Sequence, residues 1–175
     1  MSDVEVRPEG RPDRDAIAEV VAAAFASQAL ARLVADIRAS DRSWPDLNLV
    51  AECDGAIVGH VMISATDLHT AEGVIRIPML SPLAVAPAAQ GRGIGSALVR
   101  AAARRTDARG ERCIVLEGSP AYYGRFGFEH ARPLGIDISL PAWASDEAGQ
   151  VLRLGAWGDG VRGEVRYPPA FDGLE

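Results

Sequence analysis

No lysine occurs in the 175 residues, and all 18 basic side chains are arginine. The chain therefore has no side-chain amine for Schiff-base chemistry. It also cannot build the phosphate loop GxxxxGKS/T, whose lysine reaches the ligand. Cysteine is nearly as scarce: Cys53 and Cys113 are far apart, with no CxxC pair and no histidine at zinc-ligand spacing. They read as buried free thiols, and no metal is expected. No apolar run approaches the ~20 residues that span a bilayer, and the opening MSDVEVRPEG lacks a basic-then-apolar signal pattern. The expectation is a soluble, cytoplasmic protein with no membrane partner. A net charge of -6 argues against nucleic acid as well, because an acidic chain repels phosphate backbones unless it carries a local basic face.

What remains is ordinary in bulk. The chain is 48% hydrophobic and 24% charged, which supplies a buried core and excludes disorder as the default. At ~100 to 200 residues per domain, residues 1–175 are expected to form a single domain. Val4 to Arg7 alternates like a short strand, and Pro8 to Pro12 breaks it. Ile17, Val20, Val21, Ala24 and Phe25 then recur at helical spacing, as do Leu30, Leu33, Val34 and Ile37. Ser40 to Asp46 reads as a polar loop. Leu47 to Cys53 and Ala56 to Thr66 read as strands joined by Asp54-Gly55, a dipeptide suited to the positive φ angles of a two-residue hairpin. Val74 to Ala86 reads as a third strand, interrupted by Pro78 and Pro82, which cannot donate to a ladder. Ile94 to Arg109 reads as a helix capped by Gly110, Cys113 to Glu117 as a strand, and Ala121 to Gly127 as a short helix. Weaker strand patterns follow near Ile136, Val151 to Leu154 and Glu164 to Tyr167. The order implies an α+β or mixed α/β sheet.

The informative segment is Pro87-Ala88-Ala89-Gln90-Gly91-Arg92-Gly93-Ile94-Gly95-Ser96, between a strand and a helix. A helix N-terminus offers unpaired N–H groups and the positive end of its dipole, and glycines let an anion approach the backbone. Arg92 adds charge and Ser96 a hydroxyl. A dinucleotide site is one reading, with Glu117 lying 22 residues beyond Gly95 near where an acidic ribose ligand would sit. Against it, Ser96 stands where the third glycine of GxGxxG belongs, and the segment follows a hairpin instead of opening a doubly wound sheet.

Leu83-Ala84-Val85, Gln90-x-x-Gly93-x-Gly95 and Tyr123-x-x-x-Gly127-Phe128 together resemble the GNAT superfamily of acetyl-CoA-dependent N-acetyltransferases. The resemblance covers about Leu47 to Arg132, the expected coenzyme-binding core, and leaves residues 133–175 as C-terminal strands on the acceptor side. It implies a central, mostly antiparallel sheet splayed between its fourth and fifth strands and flanked by helices. It implies that backbone amides from Gln90 through Gly91, Arg92, Gly93, Ile94, Gly95 and Ser96 hold the pyrophosphate of acetyl-CoA. Pantetheine would pair with Leu83, Ala84 and Val85, the Leu83 amide would polarise the thioester carbonyl, and Ser119 and Tyr122 would complete the coenzyme site. Tyr123 matches the family's general acid for the departing thiolate. The glutamate base that some members carry eleven residues before the glutamine is here Met79, so that role cannot be carried over. Glu117, Asp67, His69 and Ser119 are alternative bases by rough placement. The family's asparagine after the fifth strand has no match in Gly118-Ser119-Pro120. The implied activity is direct acetyl transfer to a small-molecule or peptide amine. Dimers are common in the family, and the C-terminal strands could supply the edge of a homodimer. The competing expectations are a catalytically weak acyl-CoA-binding regulatory module and the dinucleotide-binding oxidoreductase.

Overall fold

The structure is a computed structural model that describes residues 3–174. Among the described residues nine strands enter one sheet in the order β1-β2-β3-β4-β5-β8-β6, with β9 pairing both β3 and β7. The strands are β1 (Val4–Pro8), β2 (Ser43–Cys53), β3 (Ala56–Thr70), β4 (Gly73–Val85), β5 (Cys113–Glu117), β6 (Glu129–His130), β7 (Ile136–Ile138), β8 (Gly149–Arg153) and β9 (Gly163–Arg166). The helices are α1 (Arg14–Phe25), α2 (Gln28–Arg38), α3 (Ile94–Ala108) and the single turn α4 (Pro120–Tyr123). The sheet is mostly antiparallel; β5 joins β4 in parallel at Met79↔Val115, and β7 is parallel to β9. A doubly wound parallel sheet is absent among the described residues, which removes the basis of the dinucleotide reading. The chain divides into two compact units, one running to Ser64 and including Leu80–Arg104, the other comprising Ala65–Met79 and Arg105–Gly173.

In the first unit, β1 lies antiparallel on β2 from Val4↔Cys53 to Pro8↔Leu49. Asp54 and Gly55 turn β2 into β3 with φ of 51° and 78°, the left-handed pair expected of this dipeptide. Helix α1 buries Ile17, Val20 and Val21, and α2 buries Ala31, Leu33, Val34 and Ile37, while Phe25 is 45% exposed. Strand β2 begins at Ser43, where a loop is expected, because Ser43 pairs with Ser64 and a register shift before Asn48 absorbs Pro45. Helix α3 approaches β3 where Gly59 has no side chain: a Cβ there would lie 2.9 Å from Leu98 Cδ1 and 3.1 Å from Ile94 Cγ2. That glycine sets the height at which the first turn of α3 rides over the strand. Arg38, at the end of α2, forks onto Glu9 at 2.7 and 3.1 Å, and Glu9 Oε2 lies 3.8 Å from Nδ1 of the fully buried His60.

In the second unit, β5 pairs antiparallel with β8 from Cys113↔Arg153 to Glu117↔Gly149, and β9 pairs with β3 at Asp67↔Arg166 through His69↔Glu164. Leu68, Ile77, Met79, Val115, Val151 and Val165 form its core, with Tyr167 and Phe171 packed against it. The expected helix from Ala121 to Gly127 is α4 followed by a 3-10 turn over Gly124–Phe126.

Candidate active site

The glycine-rich loop opens α3 in the first unit. Ala97 N–H donates to the Gly93 carbonyl at 3.0 Å, the first such bond of the helix, so the amides of Ile94, Gly95 and Ser96 lie upstream of any intrahelical acceptor. Gly91 and Gly93 have φ of 76° and 79°, and a Cβ on either would meet nothing within 4 Å. The loop thus combines left-handed backbone, orphan amides and open space, which fits an anion. Gln90 holds it to the strand, its Nε2 donating to the Val85 carbonyl at 3.1 Å. The Arg92 guanidinium is exposed, with Nη2 3.9 Å from Cys53 Sγ. Ile94 offers only its amide, since its side chain is buried over Gly59. Before the loop, Leu83 and Val85 are half-buried and Ala84 is buried. Ala86 N–H, just past β4, donates to Val58 O at 2.8 Å.

The second unit carries the aromatic cluster. Strand β5 ends at Glu117, and the following residue is held at both ends: Gly118 N–H donates to Ala148 O at 3.0 Å, and the buried Gln150 donates through Nε2 to Gly118 O at 3.0 Å. Ser119 then caps α4, its Oγ accepting from Tyr122 N–H at 3.3 Å, with Pro120 as the first helical residue. The turn brings the Tyr123 ring onto Gly118, where a Cβ would stand 2.6 Å from Tyr123 Cε2. Tyr122 and Phe128 meet the same ring edge-on, at centroid distances of 4.9 and 5.7 Å. Burial, with a smaller contribution from Tyr122, pushes the Tyr123 phenol up to about 12. Its proton is therefore retained at neutral pH. Tyr122 lies beneath the Arg125 guanidinium, 4.6 Å from its ring centroid.

The candidate bases separate clearly. Met79 is 2% exposed within the core and offers no chemistry. Asp67 and His69 lie in the β3–β9 ladder opposite Arg166 and Glu164, and the Ser119 hydroxyl is engaged as a cap. Glu117 remains exposed at the strand end, where partial burial still pushes its carboxyl above the usual carboxylate range. The Tyr167 hydroxyl donates to Glu117 Oε2 at 3.3 Å and acts in the opposite direction. Tyr167 and Gln150 are not found by sequence reading; their partners lie 50 and 32 residues away, and the only local sign is an aromatic ending a weak strand pattern. Both cysteines are free and buried, and burial pushes the Cys113 thiol up to about 12, away from nucleophilic use. Among the described residues no cluster of three or more His, Cys, Asp or Glu side chains could hold a metal ion. No helix there is long and apolar enough to cross a membrane.

An open, mostly antiparallel sheet with a glycine-rich helix start after β4 and a tyrosine cluster after β5 is the arrangement that the resemblance to the acetyltransferase class implies. The model of the acetyltransferase (GNAT) domain matches residues 5–131. The chain is 32% identical over 169 residues to the uncharacterized N-acetyltransferase YhbS of Escherichia coli K12, covering 95% of this chain and 98% of that protein. The crystal structure of Escherichia coli YhbS in complex with CoA superposes with a TM-score of 0.89 at 30% identity, covering 100% of this chain and 95% of the other. A GNAT family acetyltransferase from Brucella melitensis in complex with acetyl-CoA gives a TM-score of 0.77 at 31% identity, covering 97% and 99%. The chain belongs to the GNAT family and is an acetyltransferase.

Proposed function

We propose that residues 1–175 work as a single N-acetyltransferase domain that moves the acetyl group of acetyl-CoA directly to a primary amine, without an acetylated enzyme. The amides of Gly91 through Ser96 and the Arg92 guanidinium bind the pyrophosphate, and the open space over Gly91 and Gly93 supports that fit. Leu83, Ala84 and Val85 bind pantetheine, with the Leu83 amide donating to the thioester oxygen as charge develops on it. Ser119 and Tyr122 belong to the coenzyme site, where Ser119 orients the turn that carries Tyr123. As the amine nitrogen bonds to the carbonyl carbon and the C–S bond breaks, Tyr123 gives its hydroxyl proton to the departing thiolate. The phenolate then recovers a proton from the new amide nitrogen, and one further proton leaves with the bulk solvent.

The observation that carries this reading is the Tyr123 phenol, seated on Gly118 by the turn that Ser119 caps. A phenol holds its proton at neutral pH and has it to give to the departing thiolate. The acceptor class is a cationic amine, small molecule or peptide, in keeping with a net charge of -6. Tyr123→Phe is expected to lower kcat by about 10²-fold, the lower range for a positioned general acid, while acetyl-CoA affinity measured by calorimetry stays within about twofold. An unchanged kcat would remove Tyr123 from the mechanism.

A further inference from the structure

We propose that Glu117, oriented by Tyr167, is the general base that takes the proton from the acceptor ammonium. This rests on the direct-transfer reading above. The base position on β4 is filled by Met79, which the parallel register sets opposite Val115 on β5. Met79 and Val115 share one core cluster, so both project to the same sheet face. Side chains two residues apart on a strand share a face and stand ~7 Å apart along it. Glu117 is two residues beyond Val115. The carboxylate missing from β4 therefore returns on the neighbouring strand, one side-chain step toward its C-terminal end.

Three further features suit the role. Glu117 is exposed where core packing ends, so an acceptor can reach it. Tyr167, packed against the same core and 5.4 Å from the Phe171 ring centroid, donates its hydroxyl to Oε2 and leaves Oε1 for substrate. Tyr123 packs against Gly118, the residue directly after Glu117, on the side where a Cβ would project. The proposed acid therefore contacts the chain one residue beyond the proposed base. Tyr167 is the titratable group bonded to Glu117, Tyr123 lies beyond Gly118, and among the described residues no arginine pairs with the carboxylate. In the step itself Glu117 accepts one N–H proton of the ammonium, the freed lone pair forms the C–N bond, and the carboxyl later returns the proton to water.

The test compares Glu117→Gln, Tyr167→Phe and wild type with acetyl-CoA and spermidine, phenethylamine and a lysine-containing peptide as acceptors. Glu117→Gln is expected to lower kcat at pH 7 by about 10²-fold, leave the KM for acetyl-CoA unchanged, and recover as rising pH deprotonates the amine itself. Activity of the wild type falls as pH drops through the Glu117 value. Tyr167→Phe removes a hydrogen bond that favours the charged carboxylate, so this acid limb moves to higher pH. A ¹³C-carboxyl titration of Glu117 in the CoA-bound protein reads the same property without any acceptor. It should titrate above the usual carboxylate range, and higher still in Tyr167→Phe. Wild-type kcat and an unmoved acid limb in Glu117→Gln would overturn the proposal, as would an ordinary titration unaffected by Tyr167→Phe. Failure of the acid reading looks different: Tyr123→Phe would keep full turnover while Glu117→Gln still lost it.

Discussion

Alanine at position 118 would place a methyl group 2.6 Å from Cε2 and 3.0 Å from Cδ2 of Tyr123, closer than carbon atoms approach. The ring must swing away, because the Gly118 backbone is tied on one side to Ala148 and on the other to Gln150. Gly118→Ala is therefore expected to reduce kcat nearly as far as Tyr123→Phe and to leave acetyl-CoA affinity intact, as steady-state kinetics and calorimetry would show. If kcat survives, the ring position does not govern turnover. At this scale the sequence locates candidate residues where they travel in a local motif: Tyr123 with Gly127-Phe128, the alternate glycines, and Met79 in place of a glutamate. It is silent where a role depends on distant partners. Nothing near Tyr167 announces its bond to Glu117, and nothing around Gly118 announces the ring above it.

Helix α3 presents its first-turn amides at a height fixed by Gly59, whose missing side chain admits Ile94 and Leu98. A methyl group there meets Leu98 Cδ1 at 2.9 Å and Ala51 Cβ at 3.3 Å, so the Leu98 side chain must turn away and the packing of the helix start over the strand loosens. Gly59→Ala is expected to cost about 1–3 kcal/mol of stability, the usual range for overpacking. It should also weaken acetyl-CoA binding while saturated kcat changes little, as urea unfolding and calorimetry together would reveal. Elements with strong local signals are readable from sequence: the Asp54-Gly55 hairpin, α3 with its glycine cap, and β5, whose bounds match its apolar run. The start of β2 is hidden by Pro45, which mimics a loop although Ser43 still pairs with Ser64. The two-residue β6 is too short to carry any periodicity.

Across the whole molecule, the absence of lysine leaves arginine and backbone amides as the anion-binding groups, and the same absence excludes an acetylated lysine within the chain. Acid stability is set in part by a group remote from the proposed chemistry. His60 is fully buried, and desolvation, opposed by Glu9 and reinforced by Arg38, pushes it down to about 4. The unfolded chain binds a proton at this residue near pH 6.5 and the folded chain only near 4, so the folded state loses stability as pH falls between them. The loss totals about 3 kcal/mol. Urea unfolding at pH 4 to 7 should show this slope in the wild type and lose it in His60→Leu; equal slopes would show that His60 accepts its proton while folded. Charge pairing of this kind, Arg38 with Glu9 beside a buried histidine, ties α2 and β3 to the segment after β1 and leaves no local pattern to read.

Direct acetyl transfer is tested by product stoichiometry. The wild-type protein is incubated with acetyl-CoA, with and without a primary amine, while free thiol and N-acetylated amine are followed together by colorimetry and mass spectrometry. Direct transfer gives one thiol per N-acetylated amine and no thiol burst when the amine is omitted. Tight acetyl-CoA binding with no amine-dependent thiol release, or one equivalent of thiol released before any amine is added, would contradict it.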